Sequence, residues 1–178
     1  MPYGNAASGP RFLKEMRVLG YVAGMTTRIR PIERDDALSL AALRLQQDRE
    51  VGRATRPGFL TDYADALLAD FDGYRGWIAE EHDGRPVGCV LAHRARKLPT
   101  LGHVGRPEWW YVQQVFVTAD RRREGVGRRL LHAVQEAATA ERVRWVRLNS
   151  SDAGRPLFDA VGFTGPVDRL REWVPPKA

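Results

Sequence analysis

Val115–Ala140 reads VFVTADRRREGVGRRLLHAVQEAATA, and this stretch decides the fold. Three β-prone apolar residues, Val115, Phe116 and Val117, lead into the basic run Arg121, Arg122 and Arg123, and then to Gly125 and Gly127. Beyond the glycines, Val126, Leu130, Leu131, Val134, Ala137 and Ala138 recur at helical spacing along one face. The order is therefore strand, glycine-containing turn, helix.

That order has a chemical use. The first turn of a helix leaves several backbone N–H groups without intrahelical partners, all pointing one way, and the macrodipole adds partial positive charge there. Glycines let a ligand approach the backbone, and arginines supply donors matched to phosphate oxygens. The stretch thus predicts a site for a phosphorylated ligand, a diphosphate above all. Two familiar phosphate loops fit poorly. The Walker pattern requires Lys and Ser or Thr after its last glycine, where this chain has Arg128; the dinucleotide pattern requires a third glycine, where it has Leu130.

Arg122-x-x-Gly125-x-Gly127 directly after a strand resembles the acyl-CoA pyrophosphate loop of the GNAT superfamily of N-acetyltransferases. A second stretch, Asn149-Ser-Ser-Asp-Ala-Gly-Arg-Pro-Leu-Phe158-Asp-Ala-Val-Gly162-Phe163, resembles the later motif of the same family. The two motifs cover roughly Val112 to Phe163, and the order of elements extends the resemblance to Thr26 through Val174. The resemblance implies an α/β (α+β) single domain. Its central sheet would be mixed but mostly antiparallel, with six to seven strands splayed between the fourth and fifth. About four helices would cover both faces.

Composition is consistent with this. The 178 residues are enough for one domain with a core, and 43% are hydrophobic. No apolar run approaches a membrane span. The single cysteine, Cys89, excludes an internal disulfide, lies in an apolar stretch and reads as a packing residue; a reducing cytoplasm is the expected location. The net charge of +6 comes almost wholly from arginine, with lysine only at Lys14, Lys97 and Lys177. Such a charge would suit nucleic acid. CoA is itself polyanionic, however, so the basic loop needs no nucleic acid to explain it.

Working outward, Met1 to Gly24 has a loop-like composition with one short helical pattern at Arg11 to Val22, and reads as an accessory extension to a domain over 25–178. Thr26 to Ile32 predicts the first strand. A helix capped by Asp35 or Asp36 follows to about Glu50, then a break at Arg53 to Gly58 and a second helix from Thr61 or Asp62. Gly76 to His82, Asp83-Gly84 and Pro86 to Ala95 predict a hairpin. Leu98 to Pro107 reads as a loop, Trp109 to Val117 as the strand feeding the phosphate loop, and Val143 to Leu148 as the next strand. A short helix capped by Ser151 or Asp152 ends near Val161 and Gly162. A last strand pair is expected within Phe163 to Val174.

Acetyl transfer to an amine passes through a tetrahedral oxyanion and needs a neutral amine, an oxyanion donor and a route for the leaving thiolate. By resemblance, Val115, Phe116 and Val117 lie along the pantetheine arm, and the N–H of Phe116 or Val117 is the oxyanion donor. Arg122, Arg123, Glu124, Gly125, Val126, Gly127 and Arg128 hold the pyrophosphate. Asn149, Asp152 and Phe158 complete the acetyl-CoA contacts. The break between the first two helices lies on the acceptor side.

Two positions depart from the family pattern. Gln113 and Gln114 stand where many members carry a glutamate base, and Phe158 stands where many carry a tyrosine acid. Either the acceptor arrives neutral, another residue is the base, or the protein binds acyl-CoA without turnover. Glu108, His103, Glu80 and Glu81 are the base candidates, with Ser150 or Ser151 for the acid. Trp109, Trp110 and Tyr111 are candidates for a pocket wall or for core. His82, His93, His103 and His132 show no metal-ligand spacing, so no metal is expected. The expected partners are acetyl-CoA and a small-molecule or peptide amine, with an exposed sheet edge that would allow a homodimer. A non-catalytic CoA-binding module and a nucleic-acid-binding protein are the alternatives.

Overall fold

The computed structural model describes residues 27–96, 98–99, 101 and 108–165. The expectations for Met1 to Gly24, His103 and most of the last strand pair lie outside them.

Among the described residues five strands form one sheet, in the order β1-β2-β3-β4-β5. These are β1 (Arg28–Pro31), β2 (Tyr74–Glu80), β3 (Pro86–Arg96), β4 (Glu108–Val117) and β5 (Trp145–Leu148). The first four form an antiparallel meander, and β5 joins β4 in parallel. The helices are α1 (Ala37–Glu50), α2 (Phe59–Ala69), α3 (Val126–Ala140) and α4 (Arg155–Ala160). Among the described residues no helix is long and apolar enough to cross a membrane.

Both faces of the sheet are covered, so the central strands β2 and β3 carry continuous buried runs. On one face α3 packs Val126, Leu130, Val134 and Ala138 against Trp77, Ala79, Val90, Ala92, Trp110 and Val112. On the other, Leu40, Leu43, Ala64 and Leu67 of α1 and α2 pack against Ile78, Cys89, Leu91 and Phe116. Leu40 and Leu130 are fully buried, and each contributes roughly 2 kcal/mol through the apolar area it removes from water. A third cluster joins Leu131 of α3 to Phe158 and Val161. Trp110 is therefore core, whereas Trp109 and Tyr111 are half-buried on the opposite face.

Local signals set most boundaries. The second helix begins at Phe59, two residues earlier than Thr61, because Gly58 takes a left-handed φ of 75° and its carbonyl accepts from both Asp62 N–H and the Thr61 hydroxyl. α4 begins at Arg155, later than a cap at Ser151 implies. Ser151 closes a turn ahead of it instead, its carbonyl accepting from Gly154 and Arg155 N–H.

Candidate functional site

The site is organised by an irregularity in β4. Pairing with β3 passes from Ala92–Val112 directly to Leu91–Gln114, leaving Gln113 as an extra residue. An inserted residue reverses the face to which every later side chain points. Trp110 and Val112 accordingly face α3, while Gln114 and Phe116 face α1 and α2. Gln113 itself is exposed.

The same strand has an open edge. β5 pairs with Trp109 through Val112 and then leaves, so Gln113 to Val117 has no strand partner on that side among the described residues. Thr118 N–H donates to Val87 O at 2.9 Å. Because an antiparallel ladder alternates, Phe116 and Gln114 bond to β3, while Val115 and Val117 turn their N–H and C=O groups toward the gap. Two side chains occupy those carbonyls: Gln47 Nε2 reaches Val115 O at 3.3 Å, and Arg122 Nε reaches Val117 O at 2.9 Å. This corrects the pair of oxyanion candidates. The Phe116 N–H belongs to the ladder, and the N–H groups on the open edge are those of Val115 and Val117.

At the end of β4 the chain turns through Ala119–Arg121 and enters α3. Arg123 and Gly125 both take left-handed φ, 67° and 78°. The first helix N–H with a backbone acceptor is that of Arg129, bonded to Gly125 O at 3.0 Å. The N–H groups of Val126, Gly127 and Arg128 point out of the helix end beside the loop. Gly127 lets this first turn pack closely on its neighbours, since a Cβ there would lie 3.0 Å from Leu157 Cδ2 and 3.7 Å from Val117 Cγ2.

The arginines divide. Arg121 is bonded to Glu81 at 2.5 Å, and Arg85 bridges Glu81 at 2.9 Å to Asp120 at 3.2 Å. Arg122 folds back over the Phe116 ring to pair with Glu50 at the end of α1. Arg129 reaches Thr27 O at 2.8 Å. Arg123 and Arg128 are exposed and make no ion pair among the described residues. Of the side chains assigned to the pyrophosphate, Arg122 is therefore engaged elsewhere, and Arg123 and Arg128 are the available cations; Glu124 is exposed between them.

The acid–base candidates are placed as follows. Glu108 begins β4, eight residues and about 26 Å from Phe116 along the strand. Arg94 holds it at 2.7 Å and 3.0 Å, with further bonds from Arg96 and Trp110 Nε1. Burial pushes its carboxyl up, but those hydrogen bonds outweigh it and hold it at about 2. It is a structural anion remote from the open edge, which corrects its reading as a base. Glu80 is bonded to Arg30 at 3.0 Å. The Arg121 hydrogen bond, with that of Arg85, holds Glu81 below the usual carboxylate range. Ser151 Oγ accepts from Gly154 N–H at 3.2 Å, a turn role in place of the expected acid.

Asn149 is exposed immediately after β5, where that strand departs from β4. Asp152 is exposed and paired with Arg155. The Phe158 ring is buried against Leu131 and Val161, edge-on to Phe163, so its side chain packs the helix layer.

Three participants escaped the sequence reading: Gln47, Tyr63 and Glu50. Tyr63 of α2 donates its hydroxyl to Gln114 Oε1 at 2.9 Å. The legible signal for Gln47 was its position on the apolar stripe of α1 with Leu40 and Leu43, where a polar residue is unexpected. A groove of about 470 Å³ beside the α1–α2 break is lined by Leu45, Arg49, Thr55, Pro57, Phe59 and Thr61.

Comparison with solved structures finds the same fold widely. A predicted acetyltransferase with acetyl-CoA from Clostridium acetobutylicum matches with a TM-score of 0.69 at 22% identity, over 84% of this chain and 96% of that one. A GCN5-related N-acetyltransferase from Ralstonia eutropha matches with a TM-score of 0.70 at 22% identity, over 84% and 99%. A ribosomal-protein-alanine N-acetyltransferase from Brucella melitensis matches with a TM-score of 0.62 at 21% identity, over 86% and 100%. No curated protein matches the sequence. Residues 42–163 match the model of the acetyltransferase (GNAT) family. With that match spanning more than half of its length, this chain belongs to the GNAT family of acetyltransferases.

Proposed function

We propose that this protein transfers an acetyl group from acetyl-CoA to an amine by direct attack through a tetrahedral intermediate. The observation that carries the reading is the continuity of two features, the open edge of β4 at Val115 to Val117 and the outward N–H groups that begin α3. One ligand with an amide-bearing arm and a diphosphate would satisfy both. The arm would run along the Val115–Val117 edge. The diphosphate would sit on the N–H groups of Glu124 to Arg128, with Arg123 and Arg128 as side-chain donors. The solution of the Clostridium acetobutylicum relative with acetyl-CoA supports acetyl-CoA as that ligand.

In this reading the N–H of Val117 or Val115 stabilises the oxyanion, fixed in place by the ladder on either side of it. Gln47 and Arg122 hold the neighbouring carbonyls, so the edge keeps its shape without a β5 partner. Asn149, where β5 departs, flanks the arm. The acceptor approaches from the side of α1 and α2.

Calorimetric titration with acetyl-CoA and with CoA tests the donor half, and saturable one-to-one binding is the expected result. Thiol release on adding an amine panel tests the transfer. A second reading, a CoA-binding module without turnover, is favoured by the neutral Gln113 and Gln114 at mid-strand. It predicts binding with no thiol release for any amine.

A further inference from the structure

We infer that Gln47, Gln114 and Tyr63 form an uncharged polar seat for the acceptor, and that this seat selects a weakly basic amine, an aromatic amine or a hydrazide, over an alkylamine. The inference rests on the acetyl-transfer reading above and names the substrate class of that site.

Among the described residues, two polar side-chain atoms beside this stretch of β4 are orphaned. Gln114 is 2% exposed; its Oε1 accepts from Tyr63, and its Nε2 is buried with no partner. Gln47 donates Nε2 to Val115 O, and its Oε1 is buried with no partner. A buried donor or acceptor without a partner is costly, and folded chains satisfy nearly all of them. Here one donor and one acceptor are left over on two amides anchored at consecutive residues, Gln114 and Val115, directly after the irregularity that opens β4. A ligand carrying one N–H and one oxygen would satisfy both. The N–H of the reacting amine would donate to Gln47 Oε1, and a neighbouring oxygen, such as a hydrazide carbonyl, would accept from Gln114 Nε2. Tyr63 is the positioning residue that orients the Gln114 amide.

The seat carries no base. Three carboxylates of the helices around it are already paired, Asp48 with Arg44 and Arg53, Glu50 with Arg122, and Asp62 with Arg56, while Asp65 of α2 is exposed to solvent. The other titratable groups around Tyr63 are Cys89 and Tyr74, and burial pushes all three up, which keeps them protonated at neutral pH. An alkylammonium would lose hydration on entering and would find no group to take its proton. A weakly basic amine arrives with its lone pair free. That lone pair forms the C–N bond at the thioester carbon, the C–S bond breaks, and the proton released from nitrogen goes to the departing thiolate. The products are an amide and CoA, with no change of oxidation state.

The test uses the full chain with acetyl-CoA and two acceptors that share a phenyl ring, benzhydrazide and benzylamine. At pH 7 kcat/KM for benzhydrazide should exceed that for benzylamine by at least about tenfold, and the benzylamine rate should rise about tenfold per pH unit as its neutral fraction grows. Gln47→Ala and Tyr63→Phe should each raise KM for benzhydrazide by about fivefold; Tyr63→Phe should leave KM for acetyl-CoA in place, whereas Gln47→Ala, which also frees the Val115 carbonyl, should raise it as well. Gln114→Glu should move the preference toward benzylamine by about tenfold by supplying a base.

Equal or better use of benzylamine by the wild type at pH 7 overturns the inference, and that comparison requires no variant to fold. An unchanged benzhydrazide-to-benzylamine ratio across Gln47→Ala and Gln114→Glu overturns it as well. Absence of acetyl-CoA binding would instead remove the acetyl-transfer reading, and this inference with it. Binding and turnover without the hydrazide preference would remove the inference alone.

Discussion

Arg122 Nε donates to the carbonyl oxygen of Val117 at 2.9 Å, which turns this arginine away from the loop to which it belongs. Its guanidinium completes the strand end and pairs with Glu50 at the end of α1. Arg123 and Arg128, with no such partner, are left as the cations of the loop. Replacing Arg128 or Arg123 with alanine should therefore weaken acetyl-CoA binding by about tenfold, the loss of one charge-assisted contact. Arg122→Ala should change it less. Because the Arg122–Glu50 pair is more than a third exposed, the Arg122→Ala loss of stability should stay within about 1.5 kcal/mol. Calorimetric titration and urea melts of the three variants check this; equal affinity losses for all three would contradict the division.

The two glycines of the loop should respond differently. Valine at Gly127 would push against Leu157 and Val117 at the helix end, so Gly127→Val should abolish measurable acetyl-CoA binding in a folded protein. Gly125 has open space around the position of a Cβ and fails only on its φ of 78°. Gly125→Ala should therefore cost about 1 kcal/mol of stability and leave weakened but detectable binding. Near-normal binding by Gly127→Val would refute the loop assignment.

Glu108 provides a pH prediction. Its carboxyl is held at about 2 in the folded state, from an ordinary value of 4.5. A group whose pKa is depressed on folding stabilises above its unfolded pKa, and that stability is lost as pH falls through the folded value. The contribution is complete above about pH 5 and declines between about pH 4.5 and 2, with a size on the order of 3 kcal/mol. Glu108→Gln should lower stability at pH 7 by about that amount and flatten the acid limb of the denaturation curve. Acetyl transfer by the folded variant should be unchanged, because Glu108 lies at the far end of β4. A marked loss of kcat would restore it as a base.

Cys89 should be inert. It is fully buried against Phe116 and Leu91, and burial pushes its thiol up to about 12. Since the thiolate is the nucleophile, iodoacetamide at pH 7.5 should label the native protein negligibly and the urea-unfolded protein to one equivalent. Rapid native labelling would mean that the face under α1 and α2 opens readily.

Much of the site could be read from residues near one another in sequence. The strand, loop and helix at Val115 to Ala140, the Asp83-Gly84 hairpin and the burial of Cys89 all emerge where the residue pattern predicts them, while the pattern left open which of Trp109 and Trp110 is core. The arginine run was legible as a charge but not as a set of directions. Arg121, Arg122, Arg123 and Arg128 read alike in sequence; which of them is free depends on Glu81 and Glu50, 40 and 72 residues away. Glu108 looked available for the same reason, since its partners Arg94 and Arg96 lie across a strand register that no local pattern states.

Sequence alone was enough for the family resemblance and for the strand, loop and helix at Val115 to Ala140, because a left-handed turn at Gly125, a helix start and an apolar stripe are properties of short segments and their backbone preferences. How the middle of β4 is used depends on long-range pairing. One extra residue at Gln113 reverses the facing of Gln114 and brings it to Tyr63 of α2, 51 residues away. That reversal is set by the pairing of β4 with β3 against two packed faces, and period-two alternation within a single strand carries no record of where its register will slip.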